Sequence, residues 1–157
     1  MDNELRSTLT ASDWQPIFPH TNKNRDPMSN ENTARNRAIA IEAITGVFIK
    51  RDTNVPKELF DTDYTQHNPT IPNGSVAIPE LIRALPAEFK YEMGMVIAEG
   101  EFVAIHGRYT GWAAKPLIAV DIFRVVDGKL VEHWDVMQEE VPPEKTVNGN
   151  AMFVPLE

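Results

Sequence analysis

The chain has 157 residues, 42% of them hydrophobic and 24% charged, with a formal net charge of -8 and a pI near 5.0. These values suit one globular domain with a sizeable core and make nucleic acid and anionic membrane poor partners, since both repel an acidic surface. Cysteine is absent, which excludes disulfides, thiolate metal sites and a cysteine nucleophile. No apolar run approaches the ~20 residues of a membrane helix. The start "MDNELRSTLTASDWQ" has neither the basic opening nor the apolar core of a signal peptide, so the expected compartment is the cytoplasm.

Residues 1–32 are polar and rich in Pro and Asn and read as an irregular extension, with Trp14, Ile17 and Phe18 available to dock it. From about Thr33 to Lys50, apolar residues recur at helical spacing: Ala38, Ile41, Ile44 and Phe48, widened by Ile39 and Val47. Gly46 weakens that helix slightly. A short helix follows at "PKELF", then an irregular segment "YTQHNPTIPNGS". A third helix is expected over about Val76 to Leu85, with Ser75 as its cap and Pro79 harmless in its first turn. After that the period changes to two. Residues 90–141 read as four long strands, turning at Gly100, at "WAAK" and at Asp127-Gly128. Helices followed by an antiparallel meander predict an α+β fold with the helices against one face of a curved sheet. The tail "VNGNAMFVPLE" is expected to be loop, with Met152 and Phe153 filling a gap.

Asp121 stands inside the apolar run "AVDIFRV", and Asp is among the poorest strand formers. A carboxylate there is costly to bury unless a partner pairs with it or a reaction uses it. Alternation places Leu117, Ala119, Phe123 and Val125 on its face, and groups His133 and Asp135 with Val131 and Met137 on the next strand. Two hairpin registers are open. A three-residue "VDG" loop sets His133 opposite Asp121, whereas a two-residue Asp127-Gly128 loop sets Trp134 there; the three-residue form is favoured. A turn centred on Ala113-Ala114 sets His106 opposite Asp121. The expectation is a row His106–Asp121–His133 across three strands of one face, a partly desolvated acid with imidazole partners that fix its proton. A histidine-rich wall also suits zinc, but no ligand pair has the tight spacing of a dedicated site, so no metal is expected. Arg124 reads as a surface or salt-bridge residue, and Arg108 shares the His106 face.

Residues from about 33 to 153 resemble the SnoaL-like polyketide cyclase family, and more closely its branch of SnoaL-like aldol-condensation enzymes. The resemblance is carried by "YTQHNP", "VDIFRVVDGKLVEHWDVMQ" and "NGNAMF". It implies that residues 33–157 form one α+β cone, the fold shared with nuclear transport factor 2, ketosteroid isomerase and limonene epoxide hydrolase. In that fold a strongly bent, mainly antiparallel sheet wraps around helices and encloses an apolar pocket. It implies cofactor-independent acid/base chemistry on a small, mostly apolar carbonyl compound: aldol closure or isomerisation through an enolate. Asp121, His106 and His133 would be catalytic, and Tyr64, His67, Asn68, Phe123, Trp134 and Asp135 would meet the substrate. The short connection "GWAAKP" departs from the longer loop of many cyclases and points to a smaller substrate than a polyketide or to a different lid. The resemblance further implies a homodimer. The alternatives are a non-catalytic binder of a small hydrophobic ligand and an epoxide hydrolase, for which Arg108 is the available arginine.

Overall fold

The computed structural model describes residues 27–156; Trp14, Ile17, Phe18, His20 and most of the expected extension lie outside the described residues. Helix α1 spans Pro27–Ile44, starting six residues before the expected 33. Its first turns carry no apolar stripe. They are held by polar side chains: Thr33 Oγ1 donates to the Ser29 carbonyl at 2.8 Å, Asn36 Nδ2 to the Gly100 carbonyl at 2.9 Å, and the Gly100 amide donates to Thr33 Oγ1 at 3.2 Å. Hydrophobic periodicity is blind to a helix anchored in this way.

The buried face of α1 is Ala40, Ala43 and Ile44, while Ala38 is exposed. The helix then runs into a π-helical turn, Thr45–Ile49, whose extra residue rotates the chain relative to straight helical spacing. Val47 and Phe48 thereby reach the interior. Gly46 is required here: a Cβ at that position would stand 2.6 Å from the Val55 side chain, so the turn packs directly on helix α2, Val55–Leu59.

Strand β1, Phe60–Gln66, was not expected, because "FDTDYTQ" carries two aspartates on an edge. Its inward residues Phe60 and Tyr64 are buried. Helix α3, Ala77–Ala84, presents Ile78 and Ile82 to the core. Ser75 does not cap it: the residue at the N-cap is Val76, with no side-chain cap bond.

Strands β2 (Lys90–Glu99), β3 (Phe102–Thr110), β4 (Leu117–Val126) and β5 (Lys129–Glu139) form the expected meander. The sheet order is β1-β5-β4-β3-β2, with β1 parallel to β5 and the other pairings antiparallel. Helices lie against its concave face, giving the α+β cone. The tail is loop apart from a 3₁₀ turn at Pro143–Lys145; Phe153 is buried and its ring lies 5.6 Å from that of His106.

Two registers decide which side chains face inward. The β3–β4 connection begins at Gly111, whose φ of +79° turns the chain at once. Tyr109 therefore pairs with Leu117, and Asp121 pairs with Ile105. The turn is centred on Ala113, half a residue from the expected centre. That slip of one partner moves His106 to the opposite face, where it pairs with Val120. At the β4–β5 hairpin, Asp127 and Gly128 both have positive φ (50° and 82°), a two-residue turn with Val126 paired to Lys129. Val131 is then left over between the pairs Val125–Leu130 and Arg124–Glu132. This β-bulge shifts the parity, so Leu130 and His133 are both buried although three residues apart. Asp121 ends opposite Asp135, and His133 opposite Phe123. Neither expected register is observed, yet the bulge returns His133 to the side of Asp121.

Candidate active site

A cavity opens between the concave sheet and the helices, with about 470 Å³ of free space, open water at its mouth included. Its apolar wall includes Phe48, Phe60, Ile71, Leu81, Trp112 and Met137; its polar groups are Tyr64, Gln66, Tyr109, Asp121, His133 and Asp135. No lysine or arginine is among the lining residues.

Asp121 is 2% exposed, and each of its oxygens has a partner. Tyr109 donates its hydroxyl to Oδ2 at 2.9 Å, and His133 Nε2 stands 3.3 Å from Oδ1. The other ring nitrogen, His133 Nδ1, meets Gln66 Oε1 at 2.8 Å. Asp135 Oδ2 accepts from Asn68 Nδ2 at 2.6 Å. Asn68 is itself held by its loop: its Oδ1 accepts from the Thr70 amide and hydroxyl at 2.9 and 2.6 Å.

Of the residues expected at the site, the fold thus brings together Asp121, His133, Tyr64, Phe123 and Asp135, with Asn68 behind Asp135. Three are placed elsewhere. His106 lies on the outer face in a shallow apolar depression with Met95, Ile97, Ala104 and Val120. Trp134, opposite Ile122, also faces outward. His67 stacks on its indole at 4.7 Å and bonds Glu132 at 2.9 Å. The physical cause is the strand parity set by the Gly111 turn and the Val131 bulge. Arg108 shares that outer face, paired with Glu140 at 2.8 Å, so no arginine joins the carboxylates. Arg124 forms the expected salt bridge, to Glu132 at 2.9 Å.

Sequence reasoning missed Gln66 and Tyr109. Tyr109 was reachable: it lies four residues from Ile105 on β3, hence on one face, and only the register hid its link to Asp121. Gln66 was not, because β1 itself was unseen.

The chain's three tyrosines are all in this region. Burial, then the Asp121 and Asp135 charges, push the Tyr64 phenol well above its ordinary value; burial and the nearby Asp121 do the same for Tyr91 and Tyr109. All three therefore keep their protons in the folded protein, and Tyr109 donates its own to Asp121. A raised phenol adds nothing to pH dependence while both states hold the proton. Above the ordinary value of 10.0 the unfolded chain ionises first, so stability falls as pH rises. Phenolate absorbance should accordingly appear only together with loss of circular dichroism on alkaline titration. Phenolate forming in the still-folded protein would contradict this environment.

Among the described residues, Asp121, His133 and Asp135 are the group whose ligand atoms, within 4.8 Å of one another, could hold a metal ion. The same groups are equally a proton-transfer constellation: a buried acid, an imidazole and a second acid.

Comparisons with known proteins agree with this architecture. A model of the SnoaL-like domain matches residues 41–133. No curated protein matches the sequence significantly. Among solved structures, a candidate ketosteroid isomerase from Kribbella flavida DSM 17836 superposes with a TM-score of 0.62 at 20% identity, covering 80% of this chain and 94% of that one. A candidate polyketide cyclase from Bacillus cereus ATCC 10987 gives 0.60 at 19% identity, covering 71% and 80%. An epoxide hydrolase of limonene-epoxide-hydrolase type from M. tuberculosis gives 0.56 at 16%, covering 68% and 84%. At these identities the likeness is one of fold. No helix among the described residues is long and apolar enough to cross a membrane.

Proposed function

The chain belongs to the SnoaL-like domain family, and from that premise we propose that its cavity performs acid/base chemistry on a small, neutral, mostly apolar carbonyl compound. The observation that carries this reading is Asp121: a carboxylate almost wholly removed from water, touching an imidazole, on the wall of an apolar cavity. In the proposed reaction Asp121 takes a proton from the carbon next to the carbonyl. The C–H electron pair becomes the enolate double bond, and the charge moves to oxygen. The Tyr64 hydroxyl, from the wall of the same cavity, donates to that oxygen. Asp121 then returns the proton, either to another carbon of the enolate (isomerisation) or to the alkoxide left when the enolate carbon attacks a second carbonyl (aldol closure). Protons balance in both cases, and His133 orients the acid throughout.

The lining also narrows the substrate. Two carboxylates with no lysine or arginine repel carboxylate- or phosphate-bearing compounds, so the neutral class is favoured. Exchange of the protons next to the carbonyl for deuterium, followed by NMR over a panel of small ketones and aldehydes, tests the reading. Acceleration by the protein at micromolar concentration supports it; no acceleration with any compound that binds in the cavity counts against it.

A second reading rests on a specific observation: both Asp121 oxygens are already hydrogen-bonded, as in an acid that only braces a binding cavity. It predicts binding of the same compounds without exchange. The hydrolase alternative has less behind it, since Arg108 is on the other face.

The homodimer is proposed through the outer sheet face, where Met95, Ile97, Phe102, Val120 and Val136 are exposed. Sedimentation should give twice the chain mass, and Val136→Asp should return it to one.

A further inference from the structure

We propose that Gln66 is a positioning residue: it fixes His133 with the proton on Nδ1, so that the pair His133–Asp121 holds a single transferable proton on the line between Nε2 and Oδ1. This rests on the acid/base reading for its purpose, though not for its test.

The argument is one of donors and acceptors. The side-chain amide of Gln66 offers one oxygen and one nitrogen, which coordinates alone distinguish poorly. Here the neighbours decide. The Asn68 backbone amide donates to the Gln66 atom assigned as Oε1 at 2.9 Å, and a backbone N–H cannot donate to an NH₂ group. The atom is therefore the carbonyl oxygen. It lies 2.8 Å from His133 Nδ1, and an oxygen with no hydrogen requires the ring nitrogen to supply one. Nδ1 is thus protonated. If the imidazole is neutral, Nε2 carries only its lone pair, and it faces Asp121 Oδ1 at 3.3 Å with both side chains nearly free of water contact. Two lone pairs in that position repel. A proton between them removes the conflict, either on the ring as an imidazolium–carboxylate pair or on the acid as a neutral pair. Tyr109 is raised out of reach of ionisation and only donates to Oδ2. The line from Nε2 to Oδ1 is consequently the one place for a mobile proton.

The backbone supports Gln66 in this task. It is the last residue of β1, is the Cα partner of His133 across the parallel pair, and follows an irregularity in that pairing between Phe60 and Thr65. Its own amide is anchored by Asn73 Oδ1 at 2.8 Å, and the next amide, of His67, donates to the His133 carbonyl at 2.9 Å. The Val131 bulge adjusts β5 from one side and the β1 irregularity adjusts from the other, and the two adjustments meet at this contact. For the chemistry, the consequence is that Gln66 holds the imidazole with Nε2 toward Asp121, so that the two side chains act as one unit sharing a proton.

The test reads nitrogen chemistry in the resting protein, with no substrate. Long-range ¹H–¹⁵N NMR of the full chain should show His133 with Nδ1 protonated, either alone or in an imidazolium, and never the neutral ring protonated on Nε2 alone. Gln66→Leu removes the acceptor, and the His133 proton should move to Nε2, where Asp121 accepts it. Gln66→Glu restores an acceptor oxygen and should restore the Nδ1–H signature. A wild-type His133 protonated only on Nε2, or a Gln66→Leu spectrum unchanged from wild type, overturns the proposal. The wild-type spectrum decides even if Gln66→Leu fails to fold. Because no turnover is needed, absence of ketone exchange would sink the acid/base reading while leaving this result standing, and the reverse also holds.

Discussion

Asp121→Asn should slow deuterium exchange at the carbon next to a substrate carbonyl by about 10²–10⁴-fold, the usual contribution of a positioned acid or base. The change suits the question because it removes basicity and leaves shape. An asparagine oxygen still accepts from Tyr109, now 2.9 Å from Oδ2, and its amide still reaches His133 Nε2, 3.3 Å from Oδ1. With Nδ1 protonated, Nε2 has a lone pair ready for that donor. Stability should therefore change by only about 1 kcal/mol, the net worth of one hydrogen bond. A variant that is folded, binds the ketone and no longer exchanges its protons identifies Asp121 as the base. Wild-type exchange rates in the variant would move the chemistry elsewhere in the cavity, with Asp135 the first candidate.

Deletion of Val131 should remove the bulge and leave the faces of β5 as they are. Leu130 and Glu132 become neighbours, so Val125–Leu130 and Arg124–Glu132 follow each other as consecutive pairs of a regular ladder. His133 stays opposite Phe123 and Asp135 opposite Asp121, with Trp134 still turned outward. Only the local bend is lost, so the variant should be destabilised by about 0.5–3 kcal/mol, the usual range for a single change, and should keep its exchange activity. Val131→Ala keeps both the residue count and the bulge and should leave stability and exchange nearly intact. A deletion variant that folds but has lost the contact of His133 with Asp121 would mean that the bulge does more than absorb one residue.

These two changes also mark where the sequence was readable. The last four strands, the rough places of their turns and the apolar parts of the helices followed from periodicity and turn residues, because burial imposes those patterns directly. Asp121 was conspicuous for the same reason, an acid at a position where the pattern demanded an apolar residue. What could not be read was parity. A turn displaced by half a residue at Gly111 sent His106 to the outer face, and a bulge at Val131 cancelled the difference between the observed two-residue loop and the expected three-residue one. Alternation along one strand is a local property, whereas the relation between two strands depends on a single residue in their connection. Strand β1 escaped for a different cause. Its solvent side carries Asp61, Asp63 and Thr65, and it exists because β5 offers it a free edge, which no window of local sequence reveals. Gln66 was lost with it.

The parallel seam between β1 and β5 has a consequence for how the molecule comes into being. Its partners Gln66 and His133 are separated by most of the sheet in chain order, and β5 enters between β1 and β4 after all the other strands have been made. The meander can start from neighbouring hairpins, but this join must wait for a distant closure, which topology makes slow. Until it happens, His133 lacks Gln66 and the cavity lacks the wall that Phe60 and Tyr64 supply. The reactive chamber is thus born last, in the same event that completes the fold, and no partly synthesised version of the chain carries it.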